Sequence, residues 1–386
     1  EPDPGITVVD PEYELCGYAS FVSADAVAFN PADDLFYVLL DASPTGGGGL
    51  YTLTGNDPAQ LVQSYDDPAS VLFDATGVAF VTQDGSGRLN RLDPAVGNEI
   101  WATGFHAGDD DPGDMCFAPT GFDGPNVNPG DIVIADFGFS GPDEFWAVDP
   151  TTIESDVQIV PDLPGDPDFR TITADPAGRV FTADTLDGNA VYELFPDGTL
   201  QAIPLSSPLL GISGLEFSAF ESALYAVSDE TKELVRIDPD TGSVETVATG
   251  LLGVSFGGLT VDPRRGDVVV SDGVANRVYT ICRVDPTSVE SGEATGLGSL
   301  PIERLRVWPN PVGAGTTQIS FALTRDGEVQ VDVYDLKGRR VRRLADGRGP
   351  AGERNVMWDR RDESGHEVAS GVYFVRVRAG EAVRSS

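Results

Sequence analysis

Acidic side chains recur in this sequence at fixed places, and they are the richest chemistry it carries. Sixty-two Asp and Glu stand against 25 Lys and Arg in 386 residues. One Asp closes each of six short apolar runs: Asp41, Asp84, Asp136, Asp184, Asp229 and Asp272. Six copies placed alike read as turn formers, each carboxylate accepting backbone N–H groups in the turn to the next strand, or as a ring of acceptors. A second set sits just ahead of other apolar runs and differs from one copy to the next, as a binding surface requires. It comprises Asp25, Asp67, Asp109-Asp110-Asp111 with Asp114, and Asp166 and Asp168 with Arg170. Oxygen-only clusters suit a hard cation such as Ca²⁺. The expected metal set is Asp114, Asp136, Asp168 and Asp184, with Asp25, Asp67 and Arg170 expected to touch a ligand. None has the twelve-residue spacing of an EF-hand loop, and a solvated acidic loop is the competing reading.

Other chemistry is sparse. The two histidines are His106 and His366, and there is no Gly-x-Ser-x-Gly elbow, Cys-x-x-Cys pair or phosphate loop. A hydrolytic triad in the first 300 residues would have to use His106, which otherwise reads as an exposed loop residue. Glu216, between Leu215 and Phe217, is a carboxylate inside an apolar run. It is the candidate for a catalytic base, against a hydrogen-bonded or water-facing Glu. Cys16, Cys116 and Cys282 are an odd number, so at most one intramolecular bridge can form.

These residues are positioned by a phrase said six times. Its anchor recurs as Phe29, Phe73, Phe117, Ala174, Phe217 and Val261, at spacings of 44, 44, 57, 43 and 44 residues. Short strands at a period of about 40–45 residues mark propeller blades. The third repeat is lengthened at Thr120–Gly130 and at Phe137–Glu144, insertions expected on the binding rim. The last repeat supplies three strands only, and residues 6–18 precede the first repeat without a blade of their own. They are therefore expected to complete the last blade, pairing both edges. This closure sets Cys16 beside the strand that ends in Cys282, within reach of a disulfide.

The expected organisation is a six-bladed propeller over 1–287, a linker over 288–301 and a β-sandwich over 302–386. The linker is rich in Ser, Gly, Glu and Thr without apolar periodicity. After it, period-2 runs such as Val329–Tyr334 and Val372–Val377 alternate with Gly turns, giving about seven short strands. The fold class is all-β: 45 Gly, 28 Pro and no sustained helical periodicity. Charge divides at the same place. Residues 300–386 hold 15 Lys and Arg against 12 Asp and Glu, a net of +3, which leaves −40 of the total −37 before them. So acidic a surface repels nucleic acid and anionic lipid and suits cations, salt or high solubility. No run approaches the roughly 18 apolar residues of a membrane span. A chain starting at Glu1 reads as trimmed, in keeping with export.

Two resemblances follow. Thr182-Ala183-Asp184 with Asn189-Ala190-Val191-Tyr192, and Val270-Ser271-Asp272 with Asn276-Arg277-Val278-Tyr279, resemble the six-bladed NHL-type propellers and the related gluconolactonase and strictosidine-synthase-like families. Val307-Trp308-Pro309-Asn310-Pro311, Val333–Arg339, Trp358-Asp359 with Asp362–Gly365, and Ala369–Val375 resemble the C-terminal sorting domain of type IX secretion cargo and the immunoglobulin-like domain of flagellar hook-capping proteins. The first resemblance implies a channel-mouth Ca²⁺ and, for Glu216, a base role. The second implies contact with the secretion machinery, and it departs from its pattern where the chain reaches Val383-Arg384-Ser385-Ser386. Together they imply a secreted or cell-surface binding module for a small molecule, glycan or protein. The alternatives are a Ca²⁺-dependent lactonase or esterase, and a structural surface-layer component.

Overall fold

The structure is a computed structural model describing residues 5–21, 23–41, 48–53, 60–84, 86–105, 112–136, 143–160, 168–185, 191–254, 257–284, 302–308, 317–323, 327–335, 339–349, 352–363, 365–366, 368, 373–379 and 382–385. The chain divides into two compact units, Glu1–Val289 and Glu290–Ser386. The expected linker, His106, Asp109–Asp111 and Asp166 lie outside the described residues.

The first unit is a six-bladed propeller. Innermost strands are Ala24–Asn30, Pro68–Phe73, Pro112–Phe117, Phe169–Ala174, Ile212–Ser218 and Leu259–Val261, each followed outward by antiparallel partners. Second strands such as Ala79–Gln83, Ile132–Asp136 and Val268–Asp272 are buried at every position. Each is covered on both faces by neighbouring blades, which is why the sequence there is a continuous apolar run rather than an alternating one. The core is a set of wedges between adjacent blades. Leu39 and Leu50 of blade one meet Val71 and Val81 of blade two, and Val269 and Val278 of blade six meet Val27 and Val38 of blade one.

The amino terminus divides its work, where the sequence reading sent all of residues 6–18 to the last blade. Tyr13–Ser20 pairs with Arg277–Arg283 and completes blade six. Thr7–Val8 instead pairs with Thr249 and Ala248, giving blade five a fifth strand. Ile6, 5% exposed, explains the detour: it fills the wedge between blades five and six. Cys16 is the extra residue of a bulge between the Leu15–Ile281 and Gly17–Thr280 pairs, and it bridges to Cys282 with Cα atoms 5.7 Å apart. Cys116 is buried and free.

The insertion at Thr120–Gly130 is a packed buttress rather than an open rim. Phe122 and Val127 are each 1% exposed, and Asn126 Nδ2 donates to Gln158 O at 2.8 Å. Gly124 lies so close to blade four that a Cβ there would stand 2.4 Å from Pro196 O.

The second unit packs a three-stranded sheet (Ile302–Trp308, Thr317–Leu323, Gly352–Trp358) with a four-stranded one (Gly327–Asp335, Arg340–Gly349, Tyr373–Ala379, Ala382–Ser385). Ile319, Phe321 and Leu323 from one and Val329, Val331, Val333, Val375 and Val377 from the other form its core at alternate positions. No helix among the described residues is long and apolar enough to cross a membrane.

Candidate functional site

Five of the six innermost strands carry an irregularity near their entry. Asp25, Arg170 and Ser213 are each an extra residue against the second strand. In blades two and three the pairs Ala69-Ser70 and Gly113-Asp114 each oppose one residue. A bulge re-aims the side chain it carries. The repeated irregularity sets Asp25, Arg170 and Ser213 four residues before the repeat anchor, and Ser70 and Asp114 three before it.

Asp114 joins three blades. Its Oδ1 accepts from Ser70 Oγ of blade two at 2.8 Å and from the Met115 N–H at 2.9 Å. Its Oδ2 accepts from Thr171 Oγ1 at 3.2 Å and from the Ile172 N–H at 3.3 Å, both of blade four. Burial still outweighs these four donors and pushes the carboxyl up to about 6.

Two residues further along the strands lies a second layer. Thr173 Oγ1 accepts from the Phe217 N–H at 3.0 Å and donates to Glu216 Oε2 at 3.4 Å. Burial first, and the Asp114 charge second, push Glu216 up to about 8. It is therefore mainly a neutral acid at pH 7, able to donate. Burial, with the same two carboxylates, raises the Cys116 thiol well above its ordinary value, so it is no thiolate nucleophile.

Gly257 closes the ring at the upper layer. It has φ 66°, its O accepts from the Val27 N–H at 2.9 Å, and a Cβ on it would stand 2.8 Å from Ser70 Oγ and 3.2 Å from Ala26 Cβ. The segment entering blade six thus reaches past blade one to touch blade two.

The remaining candidates separate. Asp168 contacts Arg170 Nε through Oδ1, and its N–H donates to Asp184 Oδ1 at 3.3 Å. Asp143 Oδ2 accepts from the Phe169 N–H at 2.6 Å. Asp136, Asp168 and Asp184 are all buried at the ends of blades three and four. Asp25 is half-buried, its carbonyl accepting from Ser271 Oγ at 2.8 Å, and Asp67 is exposed with φ 52°. Among the described residues no three His, Cys, Asp or Glu converge to hold a metal ion. The expected quartet does not fit one, because Asp114 already takes four donors and Asp168 is held by Arg170.

Two of the aspartates that end second strands fasten loops beyond the next turn. Asp272 accepts from Ala275 in that turn at 2.8 Å, and also from the Leu252 and Gly253 N–H groups at 2.7 and 3.2 Å. Asp229 accepts from the Val254 N–H at 2.9 Å. Sequence reasoning missed Ser70, Thr171 and Thr173, and it counted Cys116 among the cysteines without placing it here. Their signal was the offset of three or one residues from the repeat anchor, which also marks Asp114 and Glu216.

The FlgD Ig-like domain family matches residues 310–382, the body of the second unit. No curated protein matches the chain. Among solved structures, a gluconolactonase from Xanthomonas campestris aligns at 12% identity and TM-score 0.53, covering 74% of this chain and 99% of its own. A virginiamycin B lyase from Staphylococcus aureus aligns at 10% and 0.50, covering 71% and 100%. An auxiliary nutrient binding protein from Bacteroides ovatus aligns at 15% and 0.50, covering 72% and 76%. At these identities the likeness establishes the fold alone: a six-bladed propeller followed by an immunoglobulin-like domain.

Proposed function

We propose that the propeller is a ligand-binding module working outside the cytoplasm, with the C-terminal domain as its address or attachment to the secretion machinery. One observation supports the binding reading. The innermost strands are linked from blade to blade by Asp114, and Gly257 packs against Ser70, so the polar groups of this layer are engaged in holding the blades together. The Cys16–Cys282 bridge supports an oxidising compartment. The ligand class stays broad: a small molecule, a glycan or a protein, met by the varied residues at the strand entries.

Calorimetry of the full chain against glycans and lactones, with and without chelator, tests this. Saturable heat without turnover supports binding. Ring opening of a lactone, lost in Glu216→Gln, would replace it with the enzyme reading, which rests on the neutral, half-buried Glu216. Heat lost only in chelator would restore a Ca²⁺ role.

A further inference from the structure

We infer that the outer edge of blade four accepts an extended strand from a partner protein, as blade five accepts Thr7–Val8 from this chain. This inference is independent of the ligand reading above. Outer strands are open edges, and proteins protect such edges with bulges, charges or covers. Five blades here do so. The outer strand of blade one is bulged at Val62 and that of blade three at Ile159. In blade two the bulge is at Trp101, whose O also accepts from the Glu154 N–H at 2.9 Å. Blade five is covered by Thr7–Val8, and blade six is bulged and bridged at Cys16.

Blade four differs. Leu200–Ile203 runs in unbroken register with Val191–Leu194, ends its sheet, and carries no charged residue. Its ladder starts where the Phe195 N–H donates to Thr199 O at 2.8 Å. Antiparallel alternation then turns the Glu193–Gln201 and Val191–Ile203 pairs inward and directs the N–H and C=O of Leu200 and Ala202 to the open edge. Gln201 and Ala202 are exposed.

Blade five supplies the pattern of occupancy. There the Val9 N–H donates to Val247 O at 2.9 Å while Ile6 and Val8 pack into the wedge toward blade six. At the corresponding wedge between blades four and five, Ile203, Leu205 and Val244 are only partly buried. An added strand with alternate apolar residues would cover them. Basic flanks suit it, because residues 1–287 carry a net charge of −38. Main-chain pairing supplies affinity and the alternate side chains supply selectivity.

The probe is a capped peptide with the sequence of Ile6-Thr7-Val8-Val9 followed by two lysines, titrated into the intact chain and read by amide hydrogen exchange. Exchange in 198–204 is expected to slow roughly fivefold at saturation. The effect should vanish in Ala202→Pro, which removes an edge N–H that no internal pair uses. A peptide N-methylated at its pairing amides should also be inert, and this arm holds even where the proline variant folds poorly. Unchanged exchange in 198–204, or equal slowing by the methylated peptide, would overturn the inference.

Discussion

Asp149, in a hairpin between outer strands, accepts from the Thr151 hydroxyl and N–H at 2.6 and 2.7 Å and from the Thr152 hydroxyl at 2.9 Å. Those donors, the Thr151 hydroxyl first, hold its carboxyl below the ordinary range. Asp238 is lowered likewise, by the Asp240 and Thr241 N–H groups. Asp114 has four donors, yet its carboxyl is raised to about 6. Donor number therefore does not decide the direction; water does. A turn aspartate keeps part of its hydration and gains N–H bonds, whereas a carboxylate 8% exposed between three strands loses more hydration than its donors return. Much of the acidity of the propeller is turn chemistry, and a small inner part is proton-sensitive.

Removing the inner acid should have the largest effect. Asp114→Ala leaves a hydroxyl on each neighbouring blade and two N–H groups without their acceptor, at roughly 3 kcal/mol or more. The urea midpoint should fall accordingly, and Asp114→Asn should retain part of the loss. An unchanged midpoint would break the contrast between inner and outer acids.

The rim can be opened covalently instead. Cys16→Ser with Cys282→Ser releases a link spanning 266 residues and should cost about 2–5 kcal/mol. The remaining pairs of Tyr13–Ser20 with Arg277–Arg283 should keep the ring closed. Retained near-UV circular dichroism at a lower melting temperature checks this; complete loss of signal would mean that the bridge alone closes the ring.

Proton dependence sharpens the comparison further. Glu216 is raised to about 8, so the folded state holds a proton that the unfolded chain has already released. Stability from this group is present at acid pH and lost as pH rises toward 8. Because Asp114 finishes near 6, the loss between pH 6 and 8 belongs to Glu216 and should be about 2 kcal/mol. Glu216→Gln should flatten that segment of the stability profile, and an equally sloping profile in the variant would remove Glu216 as its cause.

The smallest effect belongs to the turns. Asp149→Ala should cost about 1 kcal/mol at neutral pH. Its carboxyl is lowered, so its contribution is lost as pH falls below the ordinary carboxylate range, and the variant and the parent chain should converge in acid. A deficit that persists in acid would assign the loss to packing.

The repeat and the six blades were legible from the sequence, because apolar runs and turn residues answer to local chemistry and recur at fixed spacing. Glu216 could be picked out by the same logic, as a charge inside an apolar run. Cys16 and Cys282 could be matched because counting strands left one edge open. The metal quartet could not be judged in this way. Which carboxylate keeps vacant oxygens depends on donors from other blades, and Ser70 and Ile172 are 44 and 58 residues from Asp114.

Local pattern determined that the chain is all-β, that its larger part is a ring of blades, and that a β-sandwich follows it. Tertiary structure decided the rest. It placed a bulge at five strand entries, sent Thr7–Val8 to blade five because Ile6 fits the wedge there, and left Leu200–Ile203 as the straight edge. Register and packing between blades fix those outcomes, and a one-residue shift in pairing reverses which face a side chain meets.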